Sequence, residues 1–227
     1  MRIAVVQHRI RTHERMDLAA LLSLAEQAAD EDADVVVFPC IPGLLPGAGL
    51  LEAFAANVLD RAPQVSLLSP CVAVRRRGTV QSIATRLGRT AVLAGDECID
   101  AGLFADLEAL ELEALVWQMD TESALQAEAT LELALDASLS LAGLVLVSSL
   151  AGEARGLHSF GGSAIVHLGE LLAEAGDDED LLLADLSTPV ALPVRRGPRP
   201  VPAPVLTQRL AVHRNLRPGA AHPSDAG

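Results

Sequence analysis

Two short stretches decide the fold: R2-I-A-V-V-Q7 and D34-V-V-V-F38, with D17-L-A-A-L-L-S-L-A-E-Q-A-A29 between them. The first is a compact β-rich run and the second is continuous, apolar and stopped by Pro39, so both read as buried strands. Between them Leu18, Leu21, Leu22, Ala25 and Ala28 or Ala29 recur at helical spacing and give one apolar stripe, with Asp17 as its cap. Strand, helix, strand within forty residues is an α/β beginning.

Working outward, the same logic predicts a short helix near 50–59 and a hairpin within 72–85, its turn near Arg75, Arg76, Arg77 and Gly78. It predicts strands at Thr90–Ala94 (TAVLA), Ala114–Gln118 (ALVWQ) and Leu144–Leu150. Helical spacing covers Leu103–Glu113, and a long amphipathic helix covers Thr121–Leu141. Ser163–His167 and Glu170–Ala173 read as a hairpin around Leu168-Gly169, and Leu181–Leu186 (LLLADL) as the last strand. Eight of the 13 prolines lie from Pro189 onward, where a run such as GPRPVPAPV excludes helix and central strand. The expected division is therefore a folded domain over 1–188 and an extended or disordered arm over 189–227.

Composition removes several function classes. At 227 residues, half of them hydrophobic, with a mean hydropathy of +0.33, the chain can bury a large core and is not globally disordered. Its apolar runs are short and broken by charge, which argues against a membrane span. A net charge of −13 and 2% aromatic residues leave neither the basic face nor the stacking platforms of a nucleic-acid binder. All 17 basic residues are Arg, so no step in these 227 residues can use a lysine amine. Three cysteines, Cys40, Cys71 and Cys98, form neither a CxxC pair nor an even disulfide set. With no signal-peptide pattern at MRIAVVQ, the expected setting is cytoplasmic and reducing.

Four stretches in order carry a family resemblance: MRIAVVQ, ADVVVFPC, GRTAVLAGDE with the later strand ALVWQ, and FGGSAIVHLGELLAEAG followed by LLLADL. Together they resemble the nitrilase superfamily, the carbon–nitrogen hydrolases, over most of residues 1–188. The resemblance implies a shortened α-β-β-α sandwich of two mixed sheets, and a homodimer. It also implies a triad: a glutamate base after the second strand, a lysine for the developing oxyanion, and a nucleophilic cysteine.

This chain departs from that triad at every position. Cys40 follows Phe38-Pro39 where the glutamate is expected, Lys is absent, and the ungapped match puts Gly95 at the nucleophile. The expectation is a member that has lost catalysis, with a vestigial pocket at Cys40, Gly95, Asp96 and His158. It would need no cofactor or metal and would act through self-association, a ligand or a protein partner. One alternative is a divergent amide or nitrile hydrolase that uses the C-x-D pattern Cys98-Ile99-Asp100, with Cys98 as nucleophile and Glu97 as base.

Other residues have bland readings. Cys40 and Cys71 read as small buried hydrophobes. His8 and His13 read as solvated loop histidines without companion ligands, and His158 as a loop residue before Phe160. Arg75–Arg77 read as a charged strand edge and Asp177–Asp180 as a solvated turn. Asp96, Glu97 and Asp100 read as helix-capping acids. Ser148, Ser149 and Ser163 lack a Gly-x-Ser-x-Gly elbow.

Overall fold

The computed structural model describes residues 1–40, 50–61, 64–68, 82–95 and 106–186. The arm from 189, the Arg75–Arg77 turn, Cys71, and Asp96, Glu97, Cys98 and Asp100 lie outside these residues. The chain runs β1 (Arg2–Arg9), α1 (Glu14–Asp30), β2 (Val35–Val37), α2 (Leu50–Arg61), β3 (Ser66–Leu68), β4 (Ser82–Thr85) and β5 (Gly88–Ala94). It continues through β6 (Ala114–Gln118), α3 (Ala124–Ser140), β7 (Leu144–Ser148), β8 (Leu150–Ala154), β9 (Leu157–Phe160), β10 (Ala164–His167), β11 (Glu170–Glu174) and β12 (Asp180–Asp185). A short helical turn covers 106–109.

Two six-stranded mixed sheets result. One has the order β3-β2-β1-β8-β9, with β12 antiparallel to β1; the other is β11-β10-β7-β6-β5-β4. Strand alternation assigns each sheet two faces. Ile3, Val5, Val35 and Val37 of the first sheet meet Val116, Leu146 and Ile165 of the second in a core between the sheets. Ala4, Val6 and Val36 point the other way, onto Leu21, Leu24, Ala25 and Ala28 of α1 and Phe54 and Val58 of α2. Trp117, Val145, Val147 and Val166 face Leu133, Ala134 and Ala137 of α3. The layers are thus helix, sheet, sheet, helix, which is the α-β-β-α sandwich the resemblance implies.

Several sequence expectations need correction. Leu144–Leu150 is not one strand. The chain leaves the second sheet after Ser148 and enters the first at Leu150, because Ser149 turns its polar groups inward: its N–H donates to Ser163 Oγ (2.9 Å) and its hydroxyl to the Met119 carbonyl. A further hairpin, β8–β9, follows. Its two-residue turn, Arg155-Gly156, has positive φ at both positions (56° and 74°), the primed geometry that matches strand twist. His158 therefore lies on an edge strand and not in a loop. The hairpin closed by β5 turns at Arg86-Leu87 within the described residues. Asp17 does not cap α1. His13 holds that position without a side-chain bond, and Asp17 lies buried inside the helix.

Candidate functional site

The corner where the resemblance puts the chemistry is formed by the ends of β2, β5 and β6. Phe38 is anchored by its N–H to the Leu68 carbonyl (2.9 Å) and by its ring, edge-on to Phe54 at 5.3 Å. Two residues on, half-buried Cys40 reaches the second sheet. Its N–H donates to Gln118 Oε1 (2.5 Å), and Gln118 Nε2 donates back to the Cys40 carbonyl (3.0 Å). One side-chain amide thus satisfies both backbone groups of Cys40, as a strand neighbour would. Gln118 also faces Ala94 in the β5–β6 ladder, and Gly95 is the next residue. The structure therefore brings Cys40 and Gly95 to one corner, with Gln118 between them.

Two features decide what this corner can do. Cys40 is disulfide-bonded, against the expectation of a free buried thiol. A disulfide sulfur is neither a thiolate nucleophile nor a proton acceptor of carboxylate strength. The chain's other cysteines, Cys71 and Cys98, lie outside the described residues. Gly95 has φ +67°, and a β-carbon built there meets no heavy atom within 4 Å among the described residues. The described residues leave the position unfilled, while its positive φ favours glycine over any side chain. Asp120 Oδ1 lies 3.5 Å from Gln118 Nε2 and is the nearest described carboxylate that Gln118 contacts.

His158 does not join this corner. It is exposed on edge strand β9 opposite Glu153, with β8 and β1 between it and β2. Ser148, Ser149 and Ser163 are buried and bonded to backbone: Ser148 donates to the Val6 carbonyl at 3.1 Å. They hold layers together and are not offered to a ligand.

A second polar cluster was not legible from sequence. His8, read as a solvated loop residue, is fully buried on β1. Its Nε2 lies 2.8 Å from Asp17 Oδ1 and its Nδ1 3.1 Å from Glu179 Oε1. Asp17, also fully buried, accepts the Arg11 backbone N–H at 2.8 Å and the Arg155 guanidinium at 2.6 Å. Arg11 closes the ring onto Glu179 Oε2 at 2.6 Å. The run Asp177–Asp180 is therefore more than a solvated turn. Asp178 is held below the ordinary aspartate range by the Glu179 backbone N–H and then by the Arg9 guanidinium at 2.8 Å. Beside this cluster Gln7 is a buried clip. Its Nε2 donates to the carbonyls of Gly176 and Asp178 (2.8 and 2.6 Å), and its Oε1 accepts from Ser163 N–H (2.9 Å). Gly161 packs so closely that an added β-carbon would fall 2.7 Å from Gln7 Nε2 and 2.5 Å from the Gly176 carbonyl. No group of metal-ligand spacing occurs among the described residues, and no described helix is long and apolar enough to cross a membrane.

Two mixed sheets face to face, a helix layer on each side and a closing hairpin that returns to β1 define the nitrilase-superfamily fold. Among solved structures the chain is similar to an amidase from Nesterenkonia sp. AN1. A mutant of that amidase with acrylamide added at its active-site cysteine is 15% identical, with 82% of this chain and 93% of that chain aligned, at TM-score 0.67. Another mutant form, carrying the acetamide moiety of fluoroacetamide on that cysteine, is 16% identical over 96% of this chain and 97% of that one, also at 0.67. An alanine mutant of the same amidase, described as from the nitrilase superfamily, aligns over the same shares at 0.66. No family model matches the sequence, and no curated protein matches it.

Proposed function

We propose that this chain is a nitrilase-superfamily protein that has lost carbon–nitrogen hydrolysis and works by self-association, ligand binding or regulation of a partner. The observation that carries the reading is the corner itself. Where the resemblance expects a base, Cys40 is tied up in a disulfide and clamped by Gln118, and where it expects a nucleophile stands Gly95, whose added β-carbon would meet none of the described residues within 4 Å. The 227 residues also hold no lysine to stabilise an oxyanion. Each role needs its own side chain in place, and removing one oxyanion donor alone costs about 10²–10³ in rate. The acrylamide and fluoroacetamide adducts belong to the similar amidase and need its active-site cysteine.

Covalent labelling tests the reading. The native protein is treated with fluoroacetamide, and separately with limiting iodoacetamide, before and after mild reduction. Modified cysteines are located by mass spectrometry. Labelling that stays slow and unselective until the chain is unfolded supports the proposal. Fast, selective modification of Cys98 in the folded protein overturns it in favour of a thiol hydrolase with Glu97 as the neighbouring base.

A further inference from the structure

Within the chain, either Cys71 or Cys98 can close the disulfide of Cys40. The register of the first sheet distinguishes them. β2 and β3 run parallel, with Val35 opposite Ser66, Val36 opposite Leu67 and Val37 opposite Leu68, so facing residues are 31 apart in sequence (66 − 35). The Phe38 N–H donates to the Leu68 carbonyl at 2.9 Å, which carries the ladder past Val37 in the same register. Counted on at that separation, position 40 falls opposite position 71.

The sequence gives both strands the same ending. Phe38-Pro39-Cys40 follows VVV, and Ser69-Pro70-Cys71 follows SLL. A proline has no N–H for the ladder, so each strand is stopped at the same level with a cysteine just beyond. Neighbouring strands lie about 4.8 Å apart, inside the range of about 4.4–6.8 Å that a disulfide needs between its α-carbons. Side chains two apart on a strand share a face. Val36, Phe38 and Leu67 pack into the helix-side core, and counting on by twos assigns positions 40 and 71 to that same face. Cys98 has no such register with Cys40. It follows Gly95 at the end of β5 in the other sheet, and Gln118, opposite Ala94, already spans that gap to the Cys40 backbone.

We propose that Cys40 is bonded to Cys71, and that this bridge across the ends of β2 and β3 is a redox-responsive site which a small dithiol opens in the folded protein. The bridge closes residues 40–71 into one covalent loop containing α2, whose Phe54 ring meets Phe38. Disulfides persist where the surroundings oxidise and open where they reduce, so the corner has two covalent states. Half-buried Cys40 gives the reductant its point of entry. A thiolate of the dithiol attacks one protein sulfur, forms a mixed disulfide and expels the other protein sulfur as a thiolate. The dithiol's second thiolate then displaces the first protein sulfur and closes its own disulfide. Two electrons pass from the dithiol to the protein, and with two protons both cysteines become thiols. The bridge is independent of the function proposed above, which is decided by the reactivity of Cys98.

Peptide mapping reads the pairing directly. All 17 basic residues are Arg, so trypsin leaves Cys40 on peptide 16–61, Cys71 on 62–75 and Cys98 on 90–155. Full-length protein purified without reductant has its free thiols blocked with N-ethylmaleimide in mildly acidic denaturant, and is digested without reduction. The expected product joins 16–61 to 62–75, with the maleimide on Cys98. In the native protein dithiothreitol should open the bridge and oxidised glutathione should restore it. The two thiols so freed should react with iodoacetamide at the rate of free cysteine, unlike an activated nucleophile. Cys98→Ala should keep the crosslinked pair, and Cys71→Ser should abolish it. A crosslink from 16–61 to 90–155, a crosslink between two chains, or none at all would overturn the pairing. A bridge that opens only in denaturant would overturn the redox-responsive site.

Discussion

The seam around Gln7 and the corner at Cys40 belong to the same sandwich and are built in opposite ways. At the seam one buried side chain is bonded across several elements: Gln7 alone ties β1 to Ser163, Gly176 and Asp178. Its neighbours His8 and Asp17 are fully buried within a ring of charges. At the corner one amide holds one backbone, and beside it lies Gly95, which no other described residue approaches within 4 Å of an added β-carbon. Scaffold bonding and reaction chemistry are separable in this fold under the function proposed above: the seam is tied across elements while, among the described residues, Cys40 and Gly95 stand where the resemblance expects a base and a nucleophile.

The sharpest way to break that contrast is Asp17→Ala. It strips a buried carboxylate from His8, Arg155 and the Arg11 N–H, and removing one partner of a buried ion pair costs about 3–5 kcal/mol. The urea midpoint should collapse; an unchanged midpoint would mean the ring is ornamental. Gln7→Leu comes next. It keeps the volume but leaves the Ser163 N–H and the Asp178 carbonyl without Gln7 and the Gly176 carbonyl with only the Gly162 N–H at 3.4 Å, with an expected loss of about 1–3 kcal/mol in denaturant titration. Gln118→Leu should cost less, about 1 kcal/mol, because the half-buried Cys40 backbone regains water. A larger loss there than at Gln7 would reverse the comparison.

The smallest effect is acid sensitivity. Asp185 is held below the ordinary aspartate value of 3.8 by its hydrogen bonds to the Arg2 guanidinium, and Asp178 is lowered by the Glu179 N–H and by Arg9. A depressed carboxylate contributes stability that is present above its unfolded value and is lost as pH falls through its folded one. Unfolding followed between pH 5 and pH 2 should therefore lose stability below about pH 4, and Asp185→Asn should flatten that slope slightly. Both groups are exposed, so salt should shrink the difference.

The layers were legible because buried strands in this chain are plain apolar runs: VVV at 35–37 and ALVWQ at 114–118 are strands at those residues. The hairpin around Leu168-Gly169 was legible from its turn. The β8–β9 hairpin was not, since LAGEARGLHSF mixes small, charged and aromatic residues and only Arg155-Gly156 marks the turn. The burial of His8 could not be read locally. One partner, Asp17, lies nine residues on, and the other, Glu179, arrives through the β1–β12 pairing. Gln118 did leave a signal: a polar residue closing an otherwise apolar strand needs a partner, and the topology supplies Cys40. Cys40 itself read as a free thiol because three cysteines in a sequence do not show which of them meet.

The most direct measurement is turnover. Full-length protein, with Cys98→Ala beside it, is assayed for ammonia release from small aliphatic amides and nitriles. The account predicts rates at buffer background for both proteins. Hydrolysis well above background that disappears in Cys98→Ala would contradict it.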